Sequence, residues 1–189
     1  MKKIVIAITG ATGAVYGIRL LEKLYKLDEV ETHLVISEWA EKTIQLETSY
    51  KAEEVKGLAD HVYTPGEMGA PIASGSFLSS GMVIVPCSMK TLSAVANGFA
   101  DNLVVRAADV MLKERRTLIL AVRETPLNSI HLENMLKVSQ AGAVIAPPVP
   151  AFYNQPKTLD DIVEHFAGHT LDLLGLESSR LNRWTGNEV

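Results

Sequence analysis

Short apolar runs alternate with longer stretches of helical period along the whole chain. Ile4-Val-Ile-Ala-Ile8 opens the series, meets the Gly-rich turn Thr9-Gly-Ala-Thr-Gly-Ala14 and flows into an amphipathic stretch, with helix expected over Arg19 to Lys26. Thr32 to Ser37 predicts a second strand, Glu38 to Glu47 a helix, Ala52 to Leu58 a short helix, and His61-Val-Tyr63 a brief extended run. Pro65 to Ser80, rich in Gly, Pro, Ala and Ser, predicts a long loop, and loops of that length in compact domains are usually functional. Beyond it come a buried strand (Met82 to Pro86), helices (Ser88 to Asn97 and Asp101 to Arg116), a strand (Thr117 to Val122), a helix (Ser129 to Gln140), a last strand (Ala143 to Ala146) and a closing helix (Thr158 to Leu174). Strands of nearly continuous apolar character, each followed by a helix, predict a doubly wound, mostly parallel α/β sheet. We expect one domain over 1–189, with 175–189 as a C-terminal tail and no internal repeat.

In such a sheet, ligands bind at the carboxyl ends of the strands. Those ends are Thr9 to Thr12, Ser37, Pro86-Cys-Ser-Met-Lys-Thr91, Arg123-Glu124 and Pro147-Pro-Val-Pro150. Gly10 and Gly13 permit a tight turn and close approach to a ligand, and the free N–H groups of the following helix favour an anion. A ligand-free strand-to-helix turn is the alternative. The spacing is not G-x-G-x-x-G, and no acidic residue holds a ribose position after the second strand, so a nicotinamide dinucleotide is disfavoured. Ser88 and Thr91 can cap a helix or bind an anion. Cys87, with no His or Asp at triad-like spacing, reads as a small buried hydrophobe. Arg106, Asp109 and Lys113 share a helix face, the cations about 10 Å apart along the axis, and a solvated ion-pair ladder is their plain reading. His165 and His169 lie one turn apart, but without a third ligand nearby they do not make a metal site.

Composition narrows the partners. The chain is 47% hydrophobic and 21% charged over 189 residues, enough to bury a full core, and its net charge of −4 gives no basic stripe for nucleic acid. One cysteine allows no internal disulfide, which fits a reducing compartment such as the cytoplasm. The apolar run after Lys2 and Lys3 is too short for a secretory signal, and no later segment has the length and apolarity of a membrane span.

Several motifs together carry a resemblance: Thr9-Gly-Ala-Thr-Gly-Ala14, Ala73-Ser-Gly-Ser76, Pro86-Cys-Ser-Met-Lys-Thr-Leu92, Arg106-Ala-Ala-Asp-Val110 with Leu112-Lys-Glu-Arg115, Arg123-Glu-Thr-Pro126, Ile130-His-Leu-Glu-Asn-Met-Leu136 and Pro150-Ala-Phe-Tyr153. From about Lys3 to Trp184 the chain resembles the UbiX-type flavin prenyltransferases, and within them the Pad-like branch, whose members are named as the second component of phenolic acid decarboxylases. The resemblance implies a Rossmann-like or flavodoxin-like flavoprotein fold, assembled as a homo-oligomer, typically a dodecamer, with sites shared between protomers. It implies metal-independent transfer of a dimethylallyl group from dimethylallyl phosphate to N5 and C6 of reduced FMN, making prenylated FMN for a UbiD-type decarboxylase. By the same carry-over, Gly10, Ala11, Thr12, Ser37, Ser88, Met89, Lys90, Thr91 and Arg123 hold FMN. Glu47, Arg106, Lys113 and Glu124 line the reacting centre, and Tyr153, lent by a neighbouring protomer, binds the substrate phosphate.

Breaking an allylic C–O bond calls for cations on the leaving phosphate, here Lys113 and Arg123, and a π-rich chamber around the carbocation. Glu124 is the expected base for the ring proton at C6. Trp184 is expected either to cover the chamber or to seal an interface. Two positions depart from the family pattern. Thr12 replaces a common serine and keeps the hydroxyl. His169 stands where arginine usually grips the phosphate, and an imidazole is only partly charged at neutral pH and lacks the guanidinium fork. Two other classes remain open: a flavin-dependent cysteine decarboxylase, whose catalytic His after the first helix and Pro-Ala-Ser-Ala-Asn loop are missing here, and a non-catalytic flavin carrier or accessory protein.

Overall fold

The computed structural model describes residues 1–177 and Gly186; Trp184 lies outside the described residues. The elements run β1 (Lys2–Ile8), α1 (Ala14–Leu24), β2 (Val30–Ile36), α2 (Glu38–Glu47), α3 (Ala52–Lys56), β3 (His61–Tyr63), β4 (Gly81–Cys87), α4 (Met89–Asn97), α5 (Leu103–Lys113), β5 (Thr117–Val122), α6 (Ser129–Gln140), β6 (Val144–Ile145) and α7 (Leu159–Leu173). A single 3-10 turn, Pro71–Ala73, interrupts the long loop before β4.

All six strands pair in parallel, in the order β3-β2-β1-β4-β5-β6. The winding direction therefore reverses between β1 and β4, and the connections leaving those two strands diverge to leave a crevice at their carboxyl ends. Period-two alternation sends successive β1 side chains to opposite faces. Ile4, Ile6 and Ile8 pack with α1 and α7, whereas Val5 and Ala7 pack with α4 and α5. Both faces are covered, so the central strands are buried almost throughout.

Several boundaries differ from the sequence expectation. Helix α1 starts at Ala14 rather than Arg19, because Gly17 breaks the amphipathic signal but not the helix. A Cβ on Gly17 would lie 2.5 Å from the Val85 carbonyl oxygen and 3.1 Å from Ile8, so the missing side chain lets α1 lie close against the sheet. Gly17→Ala is expected to cost about 1–3 kcal/mol of stability by overpacking, read as a lower urea midpoint with unchanged m. Helix α5 is shorter than Asp101 to Arg116: Asn102 caps its first turn by accepting from Val105 N at 3.2 Å, and Arg115 turns left-handed with φ 54°. The last strand contracts to two residues.

Cys87 is fully buried, and burial pushes its thiol up to about 12, which fits the small-hydrophobe reading. The expected ion-pair ladder on α5 is only half formed. Arg106 pairs with Asp109 at 2.7 Å, but Lys113 turns to Glu114 instead.

Candidate active site

The carboxyl ends of β1, β2 and β4 open on one cleft of about 670 Å³, within the range of pockets that bury a cofactor-sized ligand. Of the residues expected to hold a flavin, Gly10, Ser37, Ser88, Lys90 and Thr91 line it. Ala11 and Thr12 follow Gly10 in the turn, and Met89 opens α4 beside Ser88; these three are not lining residues. Arg123 stands next to the β4 end, its N–H donating to the Cys87 carbonyl at 3.1 Å, and is likewise outside the lining.

Capping and cleft-lining positions coincide here. Ser37 Oγ accepts from Ala40 N at 3.2 Å and caps α2; Ser88 Oγ accepts from Thr91 N at 3.3 Å, caps α4 and lies 3.1 Å from Thr91 Oγ1. Two capped helix N-termini thus border one cleft, each leaving backbone donors and a positive dipole end for an anion. Thr9 ties the two sides of the crevice together. Its hydroxyl donates to the Pro86 carbonyl at 2.8 Å and accepts from Ser88 N at 2.9 Å, so the ends of β1 and β4 cannot separate without breaking these hydrogen bonds.

The aromatic walls escaped the sequence reading. Trp39 and Phe99 line the cleft, 67% and 65% exposed in the single chain, with Lys42 Nζ 4.4 Å from the Trp39 ring centroid. Asn97, Asp101 and Asn102 add polar groups on the α4–α5 side. A tryptophan in the first turn of the helix that follows a strand end was the available signal. Flat aromatic faces beside helix N-termini and hydroxyls suit a group that is planar at one end and phosphorylated at the other, and the donor set therefore fits FMN.

The start of α1 serves a different anion than expected. Gly13, in the left-handed region at φ 98°, offers no side-chain cap, and Glu47 from the end of α2 fills the place: its Oε2 accepts from Gly13 N at 2.8 Å and Ala14 N at 3.3 Å. The protein supplies its own carboxylate where a bound phosphate was one expectation.

Helix α5 organises the long loop. Arg106 Nε donates to the Ala73 carbonyl at 3.0 Å, and Arg116 donates to the carbonyls of Phe77 at 2.6 Å and Gly75 at 2.7 Å. Lys113 and Glu114 sit against Gly75, where a Cβ would come within 2.6 Å of Lys113 Nζ. Glu124 is exposed, its Oε1 accepting from Thr125 N at 2.9 Å. Tyr153 Oη lies 3.0 Å from Nε2 of His165, a partner that the sequence reading weighed only as a metal ligand. Burial, then the neighbouring His169, hold the His165 imidazole below its usual range. None of Glu47, Arg106, Lys113, Glu124, Tyr153 and His169 lines the cleft of its own chain.

The whole pattern has close counterparts. Residues 1–170 match the Flavoprotein family model. A probable UbiX-like flavin prenyltransferase of Streptomyces sp. (strain D7) is 54% identical over 97% of this chain and 92% of that protein. The crystal structure of AnUbiX (PadA1) in complex with FMN and dimethylallyl pyrophosphate superposes with a TM-score of 0.96 at 55% identity, covering 99% of both chains. A dodecameric FMN-dependent UbiX-like decarboxylase from Escherichia coli O157:H7 gives 0.96 at 53% identity, over 97% of this chain and 100% of that one. The chain therefore belongs to the flavoprotein family and, within it, to the UbiX-like flavin prenyltransferases.

Proposed function

We propose that this protein joins a dimethylallyl group from dimethylallyl phosphate to N5 and C6 of reduced FMN. The observation that carries this reading is the convergence of two capped helix N-termini and two aromatic side chains on the crevice where the strand order reverses. Reduced FMN, when bound, supplies the two ring positions that receive the prenyl group.

The chain's own residues do the rest. The starts of α2 and α4, with Lys90 and Thr91, hold the flavin phosphate, and Trp39 and Phe99 keep water from the ring. Lys113 and Arg123 stabilise the phosphate that departs with the electron pair of the allylic C–O bond. Glu124 would take the proton released at C6, and the proton given up at N5 would go to the prenyl double bond, whose far carbon then bonds C6.

A homododecamer completes the site. Tyr153 sits outside the cleft of its own chain, and in the assembly it would bind the donor phosphate at the cleft of a neighbouring copy. Supporting this are large apolar side chains left open to solvent in the single chain, among them Leu46 (84%), Leu159 (81%), Leu78 (77%) and Phe152 (72%). The prenylated flavin then passes to a UbiD-type decarboxylase.

The test is anaerobic incubation with reduced FMN and dimethylallyl phosphate, followed by mass spectrometry of the flavin. Gain of one five-carbon prenyl unit is expected; flavin recovered unchanged overturns the reading and leaves a flavin carrier. A substitution at His169 adds a second check. His165 stays neutral to lower pH, and its Nε2 lies 3.0 Å from the Tyr153 hydroxyl, one turn of α7 before His169. His169→Arg adds a permanently charged guanidinium fork and should tighten donor binding several-fold; equal affinity for the two proteins would count against a phosphate contact at His169.

A further inference from the structure

The free edge of the sheet holds a cluster that the flavin chemistry leaves unused. Residues 31 and 33 fall on one face of β2 by the two-residue period, and the parallel register aligns His33 with His61 and Val35 with Tyr63. Glu31, His33, His61 and Tyr63 therefore share a face. Glu31 Oε1 lies 3.1 Å from His33 Nε2 and 3.2 Å from His61 Nε2, and one ligand atom from each of the three residues falls within 4.8 Å of the others. None of the three lines the flavin cleft.

We propose that Glu31, His33 and His61 form a binding site for a divalent transition metal of the zinc class. Zinc bonds to imidazole nitrogen and carboxylate oxygen of about 2.0–2.1 Å give a tetrahedron with edges of about 3.3 Å, close to both oxygen-to-nitrogen separations here. Two imidazoles and one carboxylate are a donor set such metals favour, and they leave a fourth position for water. The outer contacts also fit. Tyr63 Oη sits 3.0 Å from Nδ1 of His33; with the proton on Nδ1 and donated to that oxygen, Nε2 turns its lone pair toward Glu31.

His33 is 2% exposed, packed edge-on against Phe77 at 4.9 Å, and burial favours its neutral form, the one that ligates. Lys3, whose charge acts on His33, lies 4.5 Å from the Phe77 ring centroid, and the carboxylates of Asp60 and Glu67 act on His61 and Tyr63. The His33 and His61 rings are now stacked at 4.6 Å and 15°, so metal entry requires His61, 49% exposed, to tip from the stack while His33 stays fixed.

The test uses the full chain, stripped with a chelator and desalted, titrated with Co²⁺ while its visible ligand-field bands are followed, and then with Zn²⁺ in competition. One Co²⁺ per chain, with bands of low-symmetry nitrogen and oxygen coordination displaced by Zn²⁺, is expected. His61→Ala and Glu31→Gln, neither at a fully buried position, should weaken binding at least about ten-fold, and Tyr63→Phe about 10–100-fold through the lost outer contact. His165→Ala should leave the titration unchanged. Absence of saturable one-per-chain binding overturns the proposal, as does binding that survives His61→Ala or disappears with His165→Ala. None of these readouts involves flavin, so the outcome is independent of the prenyl-transfer reading.

Discussion

Glu47→Gln is expected to lower prenyl transfer by about 100-fold or more while leaving the thermal midpoint nearly unchanged. The side chain has two separable jobs. As a hydrogen-bond acceptor it holds Gly13 N and Ala14 N, closing the Gly-rich turn onto α1 at a place where glycine can supply no cap. Glutamine keeps an acceptor oxygen and preserves that closure. As a carboxylate it is the group that the family resemblance places at the reacting centre, and electrostatic groups at such a centre are typically worth about 10²–10³ in rate. Glu47→Ala removes both jobs and should add a stability loss of about 1 kcal/mol, the usual consequence of a deleted cap. Single-turnover rates, set beside urea midpoints for both variants, separate the two. Wild-type turnover in Glu47→Gln would reduce Glu47 to a cap.

Gly10→Ala should weaken FMN binding by at least ten-fold, with a smaller effect on the fold. A Cβ at Gly10 would stand 2.6 Å from the Trp39 Cβ. That is the root of the tryptophan side chain, so a rotamer change brings no relief and the start of α2 must move back from the end of β1. The displaced elements carry Ser37 and Trp39, which line the cleft from that side. Gly10 is itself exposed, so the core is spared. Quenching of flavin fluorescence on titration reads the affinity. Gly66→Ala, where an added Cβ meets nothing within 4 Å, is the matched control and should bind as the wild type does.

The sheet was legible because its strands are apolar on both faces and punctuated by Gly and capping hydroxyls. β5 and α6 fall at the residues the pattern predicts, and so does α2. Misplaced boundaries had tertiary causes. Nothing local reveals that Gly17 is tolerated inside α1 because a carbonyl of β4 lies against it. The hydroxyl-bearing strand ends were also readable, since parallel topology tells where they must gather. The partner of the α1 amides was not, because Glu47 reaches them from another helix. Trp39 was hidden in a helix whose other positions read as ordinary amphipathic surface. Tyr153 was singled out through the family resemblance alone; its contact with His165 depends on how the segment after β6 folds back onto α7.

The loop before β4 is fastened through its carbonyl oxygens, which accept from Arg106 and Arg116. Carbonyls are common to all twenty amino acids, so much of the path of this segment is written in arginines outside it, with the buried Ile72, and Phe77 packed against His33, as the loop's own anchors. Exchanges at Ser74 or Ser76 should thus be absorbed with little loss of order. A residue larger than glycine at position 75 would meet only the far ends of Lys113 and Glu114, flexible side chains that can swing aside, so the backbone route is expected to survive there too.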